Sequence, residues 1–92
     1  MKKDLLEKII RDFENSDEVV NILESMESKN GLVVSDRIFR CIDFLAEGDI
    51  DKLNQYIELY FKDYRDLIWQ AEYDDSEVQK YDFNKSFRQL QL

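Results

Sequence analysis

The chain of 92 residues predicts an all-α fold, a compact bundle of four helices at about 4–14, 16–28, 35–47 and 49–72 with a partly ordered C-terminal tail that can itself turn helical. Three observations point there. Apolar residues recur at three- and four-residue steps along most of the chain, whereas a strand would need alternation. Proline is absent and glycine occurs only twice, which leaves few of the punctuation residues that sheets need at their turns. The longest pattern, Leu53, Tyr56, Ile57, Tyr60, Phe61, Tyr64, Leu67, Ile68 and Ala71, falls on one face at about 100° per residue.

The first helix opens with Asp4 in a cap position and Glu7 three residues on, then shows Leu5, Leu6, Ile9, Ile10 and Phe13 at helical spacing. Ser16 is the expected cap of the second, with Asp17 and Glu18 at the positive end of its dipole and Val19, Val20, Ile22, Leu23 and Met26 as its apolar side. Lys29-Asn30-Gly31 reads as its stop. Leu32-Val33-Val34 reads as an extended connector that tucks apolar side chains under the helices, and Ser35 as the cap of the third helix. Ile38, Cys41, Ile42 and Leu45 form the core stripe of that helix, widened by Phe39 and Phe44, and Gly48 stops it.

Asp49 starts a fourth helix expected to run unbroken for about 35 Å to Glu72. After Tyr73 the pattern weakens through Asp74, Asp75 and Glu77, with Ser76 and Asp82 as possible new caps and Phe83, Phe87 and Leu90 at helical spacing beyond. The organisation expected is a helical domain over 1–73 and an acidic, then aromatic, tail over 74–92 that is either docked or mobile. A chain this short supports one core and buries only about two thirds of the surface its unfolded form exposes.

Composition removes several function classes. Thirteen basic against twenty-one acidic residues give a net charge of -8, which repels nucleic-acid phosphates and anionic lipid, so neither direct nucleic-acid binding nor a membrane partner is expected. The absence of histidine takes away the usual neutral-pH base and zinc ligand, and no enzyme activity, catalytic residue, metal or cofactor is expected. Cys41, the single cysteine, lies in an apolar run and reads as a buried, inert thiol. Carboxylate pairs such as Asp49 with Asp51 and Asp63 with Asp66 lack any calcium-loop or phosphate-loop context and read as caps and solvated faces. With no apolar span and no signal-peptide pattern, the expected compartment is the cytoplasm.

The functional lead is Trp69, about 160° around the fourth helix from Leu53 and so off its core face. Glu58, Lys62, Arg65, Trp69 and Tyr73 fall in a narrow arc on that polar side, where a Glu58–Lys62 pair and an Arg65 guanidinium over the indole are expected. Arg, Trp and Tyr together have the composition of an interface hot spot. The leading expectation is a protein–protein interaction module, self-associating or gripping another protein, with Trp69, Tyr73, Arg65, Leu59 and Lys62 in the contact. An alternative is an acidic inhibitor or immunity-type protein that mimics nucleic acid and blocks a basic groove. A structural reading competes with both: Phe83, Phe87 and Leu90 folding back over Trp69 and Tyr73 to make a second small core.

The run Arg40 to Asp49, of the form R-x-x-x-F-L-A-x-G-D, and the run Asp63 to Tyr73, of the form D-Y-R-D-x-I-x-x-A-E-Y, together resemble a set of short bacterial hypothetical proteins of unassigned function. The resemblance implies a bacterial helical domain and transfers no catalytic residue. Ion pairing is a physical reason for the arginines in these runs, with Arg37 or Arg40 as mates for Asp66 or Glu72.

Overall fold

Five helices form along the chain: α1 (Lys3–Asp12), α2 (Ser16–Asn30), α3 (Asp36–Ala46), α4 (Ile50–Glu72) and a single-turn α5 (Phe87–Leu90), in a computed structural model that describes residues 1–92. There is no sheet, only an isolated bridge between Tyr73 and Gln79. No helix is long and apolar enough to cross a membrane. The all-α bundle expected from periodicity is therefore the fold observed.

Caps explain where most helices begin and end. Ser35 accepts from the Ile38 amide at 3.3 Å, and Asp49 accepts from Asp51 at 2.8 Å and from Lys52 at 3.3 Å. Gly31 closes α2 in the left-handed conformation at φ 62°. Two expected caps are not used. The residue before α1 is Lys2, and the Asp4 carboxylate instead reaches across the molecule; α2 starts at Ser16 itself, after Asn15, with no side-chain cap. The 32–34 connector buries Val34 alone, its amide held by Glu27 at 3.1 Å, while Leu32 and Val33 face outward.

Gly48 has a packing reason to be glycine beyond its positive φ of 76°. A Cβ there would sit 2.6 Å from the Asp12 carbonyl oxygen, so the α3–α4 turn lies directly on the end of α1.

The main departure from expectation is in α4, which is not straight. Asp63 leaves the helical region at φ -159° and ψ 94°, dividing the element into arms over 50–62 and 64–72. Its carboxylate accepts from the Arg65 amide at 3.1 Å, which is how an N-cap starts a new helix. The break is needed by the contacts. α3 is about 17 Å long, and Leu53 and Glu72 would be about 28 Å apart on a straight helix, yet Glu72 bonds to Arg37 on α3. Leu45, near the other end of α3, borders the same groove as Trp69, Gln70 and Tyr73. The second arm has come back onto α3, and the single apolar face read across the whole of α4 is broken with it: Leu53, Leu67 and Ala71 are buried, whereas Phe61 and Tyr64, beside the break, are exposed.

The core runs through every helix and into the C-terminal segment, with Phe83 and Phe87 as its largest fully buried side chains. Phe83 packs against Phe44 at 5.1 Å, Tyr81 at 5.5 Å and Phe87 at 5.9 Å between ring centroids. Ser86, rather than Ser76 or Asp82, caps the final turn, in a capping box with Gln89.

Candidate interaction surface

The second arm of α4 is held by a carboxylate inside the protein. Glu72 is fully buried and its carboxylate accepts two hydrogen bonds from Arg37 (2.7 and 2.6 Å), one from Gln79 Nε2 (3.0 Å), one from the Phe83 amide (3.2 Å) and a long one from the Cys41 thiol (4.0 Å). Its backbone carbonyl takes the Lys80 and Tyr81 amides at 2.6 and 3.1 Å. One residue thereby fixes α4, α3 and the returning chain together, and the Arg37–Glu72 pairing is one of those the sequence suggested. The bidentate contact raises the Arg37 pKa, the Glu72 hydrogen bond being the largest cause.

Arg40 makes a parallel clamp nearby. It grips both oxygens of Asp4 at 3.0 and 3.2 Å and donates to the Phe83 carbonyl at 3.1 Å, while Asp4 also accepts the Phe87 amide at 2.9 Å. Burial pushes the Asp4 carboxyl upward, but the Arg40 hydrogen bonds and the Phe87 amide outweigh it and leave the pKa below the ordinary value.

Outside this framework the second arm presents its aromatic side. Trp69 and Tyr73, one turn apart, stack with ring centroids 4.6 Å apart and planes 9° from parallel, and Trp69 remains 45% exposed. The alternative in which the C-terminal aromatics cover the indole is not what occurs, because Phe83 packs with Phe44 and Tyr81 and Phe87 packs on Phe83 instead. The stacked pair borders an open groove of about 440 Å³ whose rim carries Leu45, Gln70, Asp74, Asp75 and Glu77.

The acidic rim is built by a tight turn after α4. Asp74 Oδ1 accepts the Ser76 amide at 2.8 Å and the Val78 amide at 3.2 Å, the Asp74 amide donates to the Val78 carbonyl at 3.1 Å, and Glu77 takes the left-handed conformation at φ 62°. The Glu77 amide donates to the Asp74 carbonyl at 3.1 Å, but the side-chain carboxylates of Asp75 and Glu77 accept no hydrogen bond and make no ion pair within the chain.

The break at Asp63 redistributes the residues read as one patch. Trp69 and Arg65 are on the second arm and Tyr73 is the residue that ends it; Leu59 is half-buried against the core on the first arm, and Lys62 is exposed at its end. The contacts expected along the arc do not form. Arg65 is exposed and approaches only its neighbour Asp63 at 4.0 Å, no Glu58–Lys62 pair is made, and the cations over aromatic rings are Lys8 on Phe87 and Lys80 on Tyr81. The Leu45, Asp74, Asp75 and Glu77 border was missed in the sequence. Its local signal was an Asp followed two residues later by Ser immediately after a helix end, which marks a turn that would bring the carboxylates back beside Tyr73.

Two other groups were candidates for chemistry. Cys41 is buried, and burial together with the Glu72 charge pushes its thiol up to about 12, so it carries no thiolate at neutral pH. No group of three or more Cys, Asp or Glu side chains is placed to hold a metal ion. Comparison of the chain with protein families, with curated proteins and with solved structures finds no match.

Proposed function

We propose that the chain is a non-enzymatic protein–protein interaction module that makes its contact through the outer face of the second arm of α4. Trp69 and Tyr73 form the centre, Arg65 lies beside them, and Leu59 and Lys62 lie across the break at the margin. The observation that carries this reading is the lone tryptophan, stacked on Tyr73 and still 45% exposed although the same chain buries Phe83 and Phe87 almost completely in its C-terminal segment. A large aromatic surface left open on a helix is the kind of group that dominates interface energetics when a partner desolvates it.

The test is a photo-cross-linkable residue at Gln70, beside Trp69, in the full chain expressed in its own cells. A discrete adduct is expected, and Trp69→Ala or Tyr73→Ala should abolish it with helical content unchanged by circular dichroism. An adduct indifferent to both substitutions, no adduct at all, or loss of helix in both variants would overturn the reading.

A further inference from the structure

The groove beside Trp69 is unusual in what lines it. One wall is the stacked aromatic pair with Leu45, the other is the acidic turn, and no lysine or arginine borders it. Asp74 spends its carboxylate on the amides of its own turn, whereas the carboxylates of Asp75 and Glu77 are exposed and have no partner in the chain. Tyr73 covers one face of the indole in near-parallel stacking, so the aromatic wall is flat and is not a cage of rings set around a cavity. Arg65, one turn before Trp69 and the chain's own candidate to lie on the indole, makes no cation–π contact with it and is solvated, approaching only Asp63.

These features select among occupants by charge and shape. An anionic partner is repelled by the two free carboxylates, and a purely apolar one would strip them of water without replacing it. A flat aromatic surface next to unpaired carboxylates suits a planar cation better than a compact ammonium, because a guanidinium stacks on the ring and still offers its edge donors to the acids. We propose that this groove receives an arginine-bearing segment of a partner protein, its guanidinium laid on the exposed surface of Trp69 and its charge met by Asp75 and Glu77. This assignment rests on the interaction-module reading and names the chemistry of the partner.

The experiment is a titration of the isotopically labelled full chain with hexa-arginine, hexa-lysine and hexa-glutamate peptides at low salt, following the Trp69 indole N–H signal by NMR. Hexa-arginine should give a saturable shift at Trp69, hexa-lysine a clearly weaker one and hexa-glutamate none. Asp75→Asn with Glu77→Gln, both exposed and outside the core, should weaken arginine binding about fourfold, roughly twofold for each surface charge removed. Added salt should weaken it further. Equal binding of the arginine and lysine peptides with no shift at Trp69, or binding unchanged in the double variant, would overturn the assignment. A Trp69 signal that moves when the chain alone is concentrated, and not with peptide, would overturn the arginine assignment in favour of a second copy and leave the interaction surface standing. Silence at Trp69 in both, with no cross-link at Gln70, would remove the two readings together.

Discussion

Asp43 and Glu72 are both buried carboxylates, and their surroundings make them opposites. Glu72 has donors for both oxygens, so its charge is met inside the protein. Both Asp43 oxygens lack a hydrogen-bond donor; the Lys8 ammonium lies 3.4 Å from one of them but is hydrogen-bonded to Asp12. Burial therefore lifts the Asp43 pKa to about 6 against the pull of Lys8. Because the folded value lies above the unfolded one, the stability this group contributes is complete below about pH 4 and is lost as pH rises through 6. Asp43→Asn cannot titrate, so its stability relative to wild type should rise between pH 4 and pH 7 by on the order of 2–3 kcal/mol in urea unfolding. The depressed Asp4 and Asp12 carboxyls act in the other direction at lower pH, and the comparison of two chains that share them isolates Asp43. A constant difference across that range would mean that the group is solvated. The sequence showed Asp43 only as one acid among many in α3; its burial depends on α1 and could not be read locally.

Most of the helices were legible in the sequence, because caps, the Gly31 stop and three- and four-residue spacing are local signals with local causes. α4 shows the limit. In the sequence its apolar stripe continues in phase through Asp63, Leu53 and Leu67 lying on one side of a helical wheel, and that continuity hid the break. The signal for it was nonetheless present: Asp63 followed three residues later by Asp66 is a helix-start pattern inside a helix. What the sequence could not say is that the long-range pairing of Glu72 with Arg37 requires the second arm to return. Asp63→Ala should remove the cap on Arg65 and lower stability by about 0.5–2 kcal/mol. An unchanged midpoint in chemical denaturation would show that the carboxylate does not hold the break.

At the scale of the whole molecule, the C-terminal segment is structural. The bundle is completed by Phe83 and Phe87, by the Phe83 amide and carbonyl that Glu72 and Arg40 engage, and by the Phe87 amide on Asp4. Phe83→Ala should cost about 3–5 kcal/mol of a stability that for a chain of this size is itself only about 5–15 kcal/mol. A loss under 1 kcal/mol would mean that the segment is only loosely applied. The docking of this segment away from Trp69 leaves the stacked pair open, which the sequence could pose only as an alternative, because which surface a tail covers is decided by partners far along the chain. That exposure is what makes Trp69 available to a partner, and Trp69 is the only tryptophan, so its fluorescence reports one position. The most direct measurement is the emission maximum and acrylamide quenching of the isolated chain across a wide dilution series. A red, readily quenched signal at the dilute end is predicted, from an indole open to water and available to a partner; a blue, protected signal at every concentration would place Trp69 in the core and contradict the account.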